Sequence, residues 1–146
     1  MERSRARRPR RSPTGTGQPR TGKSPVVLIV EDEADLRVLA ESNIADFGYT
    51  TLSAGNGREA LALLEEHQDI AVLFTDLNLS DHVTTDPVHG LELARRAVEL
   101  RPGLRVVYTT GGVETDGMIS LFVEGSIFLR KPYTRDELRH ALEGSS

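Results

Sequence analysis

Acidic, hydroxyl and lysine side chains stand where the apolar runs of this sequence end. They are Glu31 and Asp32 after the first run, Asp76 after the second, Thr109 and Thr110 after the third, and Lys131 after the last. Carboxylates held together repel one another and raise their own pKa values unless a cation joins them, and Mg²⁺ prefers such oxygen ligands. A lysine and a hydroxyl beside that site would bind an incoming phosphoryl group. The residue types therefore predict phosphoryl chemistry assisted by Mg²⁺.

The apolar runs themselves predict the strands that position these side chains. They cover residues 26–30, 70–74, 106–108 and 127–129, and continuous apolar runs of this length are typical of strands buried on both faces. Residues 49–53, which mix apolar and hydroxyl side chains, predict a further, half-buried strand. The segments between the runs carry apolar residues three or four positions apart, which predicts helices. Strict alternation of strands and helices indicates an α/β fold with a parallel sheet and helices on both faces. Ligands bind beyond the carboxyl ends of strands in such a sheet, where the chemical residues stand.

Five helices are expected, and two of them begin at recognisable caps. Asn56 with Glu59, and Thr134 with Glu137, have the spacing of a capping box. The residues expected to form the helical apolar faces are Leu36, Leu39, Ala40, Ile44 and Phe47; Ala60, Leu61 and Leu64; Leu91, Ala94, Ala97 and Val98; Met118, Ile119, Phe122 and Val123; and Leu138, Ala141 and Leu142.

Composition divides the chain of 146 residues into a basic tail and an acidic domain. Residues 1–25 hold eight basic residues and one acid, a net charge of +7, whereas the rest holds ten basic residues and 21 acids, a net charge of −11. The tail has almost nothing to bury, so we expect it to be disordered. No apolar run is long enough for a membrane span, and the Arg-rich start does not resemble a signal peptide, so we expect a cytoplasmic protein. The absence of Cys excludes disulfides, thiolate metal sites and thiol nucleophiles.

One motif in the tail is interpreted as a coincidence. Residues 17–24 fit the phosphate-loop pattern G-x-x-x-x-G-K-[ST]. That loop works between a strand and a helix, whose backbone N–H groups bind phosphate. Here Arg- and Pro-rich sequence precedes the motif, and Pro25 followed by a predicted strand comes after it. Nucleotide hydrolysis is therefore not expected.

The ordered set of motifs resembles that of response regulator receiver domains, the CheY-like family. The set consists of Val30-Glu31-Asp32, Asp76, Thr110-Gly111 and Lys131-Pro132. The resemblance covers residues 26–143. It implies a flavodoxin-like, doubly wound (βα)5 fold with strand order 2-1-3-4-5, and a phosphoacceptor switch rather than an enzyme.

The resemblance also implies a role for each motif residue. Asp76 would be the phosphoacceptor, attacking the phosphohistidine of a sensor histidine kinase or phosphotransfer protein. The Mg²⁺ ligands would be Glu31, Asp32, Asp76 and the backbone carbonyl of Asn78. Lys131 would neutralise the phosphoryl oxygens, and its bond to Pro132 would be cis, as is usual in the family. Thr110 and Phe128 would be the switch residues.

Three features depart from the family pattern. The segment from Asp76 to Gly90 is longer than usual, and Ser80 replaces the expected proline; we expect this loop, residues 79–89, to influence phosphate lifetime or partner choice. Its Asp81, His82, Asp86 and His89 are interpreted as solvated rather than as metal ligands. The segment from Gly125 to Lys131 is shorter than usual, which leaves the switch hydroxyl open between Thr109 and the preferred Thr110. Phe128 lacks the hydroxyl of a tyrosine, so it would report by packing.

Only residues 143–146 follow the last predicted helix, so we expect no output domain. Signalling would then use protein–protein contacts, with a target bound through residues 113–143 as phosphorylation shifts an existing equilibrium. A phosphate shuttle or sink between kinases is an open alternative. Nucleic-acid binding through the basic tail is disfavoured, because the acidic domain would repel DNA.

Overall fold

The computed structural model describes residues 25–77, 90–111 and 122–144. Three predictions concern the residues outside these ranges: the disordered tail with its glycine-rich motif, the Mg²⁺ ligand Asn78, and the loop at residues 79–89. Most of the predicted fourth helix also lies outside. Its last two expected members, Phe122 and Val123, are described and do not belong to a helix.

Strands and helices alternate along the described residues, except that no described helix stands between the fourth and fifth strands. The elements are β1 (Val26–Val30), α1 (Ala34–Asp46), β2 (Thr50–Ala54), α2 (Gly57–Glu66), β3 (Ile70–Asp76), α3 (Gly90–Leu100), β4 (Arg105–Thr110), β5 (Ile127–Arg130) and α4 (Arg135–Glu143). Strands β3 and β4 extend further than predicted, so Asp76 and Thr110 are the last residues of their strands. None of the helices in these segments has the length and apolar character needed to cross a bilayer.

The strands form one parallel sheet in the order β2-β1-β3-β4-β5. This order confirms the predicted flavodoxin-like topology. Because every strand runs in the same direction, all five carboxyl ends lie at one edge of the sheet. The strands that end in acids, β1 and β3, are direct neighbours there, with Val30 paired to Thr75.

Two hydrophobic clusters hold the helices against the two faces of the sheet. Helices α2 and α3 cover one face with Leu64 and Leu93, and α1 and α4 cover the other with Ile44 and Leu138, all of them fully buried. The side chains of β1 are buried on both faces. The sheet is therefore enclosed on both sides, as its continuous apolar strands predict.

The apolar face of α1 differs from the prediction. Ala40 and Ile44 are buried, but Leu36 and Leu39 are 39% and 56% exposed. Leu36 belongs to the first turn of α1, and Leu39 is turned about 100° from Ala40 around the helix axis. The partly buried stripe instead continues from Ile44 and Ala40 to Arg37, three residues earlier.

The two predicted capping boxes have different outcomes. At α4 both bonds form: the hydroxyl of Thr134 accepts from the N–H of Glu137, and the Glu137 carboxylate accepts from the N–H of Thr134. At α2 the side chain of Asn56 accepts from the N–H of Glu59 at 2.9 Å. The Glu59 carboxylate, however, bonds the N–H of Gly55, one residue earlier than a capping box requires.

Candidate functional site

Three carboxylates meet at the carboxyl edge of the sheet. Ligand oxygens of Glu31, Asp32 and Asp76 lie within 4.8 Å of one another. Glu31 and Asp76 are buried, with 7% and 8% of their surfaces exposed. The neighbouring positions of β1 and β3 bring together residues that stand 45 positions apart in the chain.

The side chain of Lys131 reaches this cluster from the far side of β4. Its Nζ atom donates hydrogen bonds to Asp76 Oδ2 at 2.9 Å and to Glu31 Oε1 at 3.2 Å. The backbone N–H of Lys131 bonds the carbonyl oxygen of Thr110 at 2.8 Å, which fixes the start of the side chain beside the end of β4. The peptide bond between Lys131 and Pro132 is cis, as expected.

Burial and charge shift the pKa values of the paired groups. Burial raises the pKa of Glu31 above its ordinary value of 4.5, against the opposing effects of the N–H of Glu33 and the charge of Lys131. Burial alone would lower the pKa of Lys131. The hydrogen bond to Asp76 and the charges of Asp76 and Glu31 outweigh burial and raise this pKa above 10.5. Lys131 is therefore held in its charged form by the two acids.

The donor set fits a hard divalent cation. One lysine among three carboxylates leaves the cluster short of positive charge, and closely placed carboxylate oxygens are the ligands that Mg²⁺ uses in proteins. Glu31, Asp32 and Asp76 are the described residues that would hold it. The fourth predicted ligand, the carbonyl of Asn78, lies outside the described residues.

Both candidate switch hydroxyls are buried at the end of β4, and they face opposite sides of the sheet. Thr109 pairs directly with Asp76, and the carbonyl of Thr109 accepts from the N–H of Leu77 at 2.8 Å. Because side chains alternate along a strand, Thr110 shares the face of Tyr108, whose partner on β5 is Phe128. Thr110 therefore lies on the same face of the sheet as Phe128, whereas Thr109 lies on the face of its partner Asp76, and Thr110 as the switch hydroxyl stays a prediction.

Phe128 belongs to a row of three aromatic rings. The ring of Phe122 lies 4.5 Å from that of Tyr108 and 5.6 Å from that of Phe128, measured between centroids. The guanidinium carbon of Arg130 is 5.8 Å from the centroid of the Phe128 ring. The hydroxyl of the fully buried Tyr108 accepts a hydrogen bond from the N–H of Val123 at 3.1 Å. This bond ties the end of the β4–β5 connection to the sheet.

Tyr108→Phe should lower the free energy of unfolding by about 1 kcal/mol at neutral pH, because the N–H of Val123 loses its acceptor. Burial raises the pKa of Tyr108 above 10.0. Above that pH the unfolded chain loses the tyrosine proton while the folded chain retains it, so the tyrosine protein loses stability as pH rises. The variant lacks this loss. Urea unfolding should therefore show a smaller difference in the free energy of unfolding between the two proteins above pH 10 than at neutral pH. A difference that stays constant would contradict the raised pKa of Tyr108.

The site also depends on Gly90, which the sequence analysis used only to mark a spacing. A Cβ atom at this first residue of α3 would lie 2.8 Å from the Cα of Leu77 and closer still to the carbonyl oxygen of Asp76. The backbones of α3 and β3 therefore meet directly behind the phosphoacceptor candidate. The sequence offered no signal for this contact, because residues 78–89 separate the two segments.

Gly90→Ala should displace the backbone of Asp76 and destabilise the protein by about 2 kcal/mol, in the range of an overpacked core. Gly103→Ala is the matched control, because a Cβ at Gly103 meets nothing within 4 Å. Thermal unfolding of both variants tests the contact. Equal stabilities would show that α3 can move away from Asp76 without cost.

Tyr133 is a second neighbour of the site that the sequence analysis did not single out. Its ring packs edge-on against Phe74, with centroids 6.3 Å apart and planes at 88°. Burial raises the pKa of its hydroxyl, and the charges of Lys131, Glu31 and Asp76 also act on it. The Tyr133 ring thus packs on the hydrophobic cluster of α1 and α4, near enough to the charged cluster for its charges to act on the hydroxyl.

Comparisons with known proteins give one consistent result. Residues 27–143 match the family model described as the response regulator receiver domain. The chain is 32% identical over 122 residues to the autoinducer 1 sensor kinase/phosphatase LuxN of Vibrio harveyi, covering 82% of this chain but only 13% of that protein. It is 28% identical to a chemotaxis protein CheY homolog of Campylobacter jejuni, covering 80% of this chain and 88% of the relative.

A solved structure agrees with these sequence matches. The crystal structure of a response regulator receiver protein from Sinorhizobium medicae WSM419 superposes with a TM-score of 0.73 at 29% identity. The match covers 82% of this chain and 92% of that one.

Proposed function

Because this chain belongs to the response regulator receiver domain family of two-component systems, we propose that Asp76 accepts a phosphoryl group from the phosphohistidine of a sensor histidine kinase or phosphotransfer protein. The observation that carries the proposal is the contact between Asp76 and Lys131, with Glu31 and Asp32 beside them at the carboxyl edge of the sheet. Members of this family are phosphoacceptor switches, not enzymes in the ordinary sense. The reaction would take place in the cytoplasm.

Each residue of the cluster would have its own role in phosphoryl transfer. The Asp76 carboxylate attacks phosphorus, a P–O bond forms, and the P–N bond to the donor histidine breaks; the imidazole leaves with the electron pair and takes up a proton. Lys131 holds Asp76 in position at 2.9 Å and offers its charge to the phosphoryl oxygens. Glu31, Asp32 and Asp76 would bind Mg²⁺, which when bound supplies further positive charge for those oxygens.

The signal would then leave through the β4–β5 side of the domain. Thr110 and Phe128 share one face of the sheet, so a hydroxyl drawn toward a phosphoryl group on Asp76 would open space beside the aromatic ring. Phosphorylation would shift the equilibrium between two arrangements of the surface formed by residues 113–143, where we propose that a target protein binds. The structure describes residues 122–143 of this surface.

The proposal is tested by intact mass spectrometry after incubation with MgCl₂ and a small-molecule phosphodonor. We expect one phosphate adduct that disappears when EDTA replaces MgCl₂. A folded protein that forms no adduct with the small donor or with a phosphorylated histidine kinase domain would overturn the proposal. Phosphate that passes on rapidly from Asp76 to a second phosphotransfer protein would favour the alternative role as a shuttle.

A further inference from the structure

Arg37 contacts the backbone of the charged cluster, although its side chain is not one of the cluster's charged groups. Its Nη1 atom donates a hydrogen bond to the backbone carbonyl oxygen of Glu31 at 2.8 Å. The side chain starts from α1, six residues after Glu31 in the chain, and is partly buried. The guanidinium therefore bonds the peptide group that joins Glu31 to Asp32, the two acids that follow β1.

This peptide group lies where strand pairing ends. The N–H of Glu31 still bonds the carbonyl of Ala54, the last residue of β2, at 3.1 Å. Beyond Ala54 the chain turns through Gly55 into α2. The carbonyl of Glu31 accepts from the arginine at this point, and a bond from a charged donor is stronger than one from a neutral N–H.

Gly55 provides the space for the guanidinium. A Cβ atom there would lie 3.2 Å from Arg37 Nη1, tighter than ordinary van der Waals contact. Gly55 has no positive φ, so its backbone conformation does not demand glycine. Its N–H bonds the Glu59 carboxylate at 2.9 Å, which holds the turn in place beside the arginine.

We propose that Arg37, seated on Gly55, is a positioning residue for the proposed metal site. A peptide group is planar, so holding its carbonyl oxygen also fixes the orientation of the bonds that lead to the side chains of Glu31 and Asp32. The two carboxylates then face Asp76 before any cation arrives. This inference rests on the proposed function, since it requires that the cluster binds Mg²⁺.

The direction in which Mg²⁺ affinity changes when Arg37 is replaced distinguishes a positioning role from a purely electrostatic one. Removing a positive charge beside a cation site should strengthen Mg²⁺ binding by charge alone. Positioning predicts the opposite result for Arg37→Met: binding about tenfold weaker, as for other groups that orient metal ligands. Arg37→Lys retains the charge and one donor, and should recover part of the affinity.

Titration with MgCl₂ followed by amide NMR measures this affinity in the full chain without phosphorylation. The matched control is Arg139→Met, which removes the same charge from an exposed side chain that bonds Asp136 within α4. We expect Arg37→Met, but not Arg139→Met, to bind Mg²⁺ more weakly than the unchanged protein. Before Mg²⁺ is added, the amide chemical shifts of Arg37→Met should differ most from those of the unchanged protein at Glu31 and Asp32. Equal or tighter binding by Arg37→Met would overturn the role of Arg37 and leave the metal site standing.

Failure of the proposed function gives a different result, because the unchanged protein would then bind no Mg²⁺, and both proposals would fall. If Arg37→Met does not fold, Gly55→Ala provides the test, because it keeps the arginine but adds a Cβ atom 3.2 Å from Arg37 Nη1. Mg²⁺ affinity of Gly55→Ala that falls below that of the unchanged protein supports the inference. Unchanged affinity in a folded Gly55→Ala protein overturns it.

Discussion

Replacing Asp76 with asparagine leaves a folded protein that takes up no phosphate, the largest effect we expect from a single change. Asparagine keeps the shape of the side chain and an oxygen that can accept from Lys131, but it lacks the carboxylate that attacks phosphorus. The change also removes one of three mutually repelling acids. We therefore expect the variant to be at least as stable as the unchanged protein in the absence of Mg²⁺.

Intact mass spectrometry with MgCl₂ and a small-molecule phosphodonor measures this loss, and thermal unfolding verifies the fold. Asp69→Asn is the matched control, because it makes the same substitution at an exposed residue just before β3, at the opposite end of the strand. The control should form the adduct as the unchanged protein does. An adduct that persists on Asp76→Asn would place the phosphoacceptor at another residue.

Lys131→Met should give the second largest effect, through stability as well as phosphorylation. The variant leaves Glu31 and Asp76 buried without the ammonium group that bonds both. Removing one partner of a buried ionic group costs about 3 kcal/mol, because the remaining charges stay uncompensated. Phosphate uptake should also fall to near zero, since the phosphoryl oxygens lose their protein cation.

Urea unfolding at neutral pH, with and without MgCl₂, tests this prediction. Mg²⁺ should restore part of the lost stability, because a ligand that binds only the folded state stabilises it and the acids would again have a counter-charge. Arg130→Met is the control: it removes the same charge from the neighbouring, exposed residue. Equal losses in both variants, unchanged by MgCl₂, would mean that Lys131 contributes only to general packing.

The sequence alone determined the architecture of this protein and the edge of the sheet at which its charged residues lie. Continuous apolar runs such as Val26–Val30 specify strands buried on both faces, and their strict alternation with helices forces a parallel sheet. All carboxyl ends then lie together, so residue types at the ends of the runs were enough to predict that Glu31, Asp32, Asp76 and Lys131 would meet. Local hydrogen bonding likewise determined the cap at Thr134.

Contacts between distant segments were decided only by the tertiary structure. No periodicity shows that Gly90 would press on the backbone of Asp76, or that the buried stripe of α1 would continue to Arg37 while Leu39 stays exposed. The pairing register, which spacing along the chain left open, likewise places Thr110 and not Thr109 on the face of Phe128. The residue pattern within a segment indicates which of its side chains will be buried and which local hydrogen bonds its backbone will form. It does not specify which atom of another segment these residues will touch, because that depends on how whole elements pack.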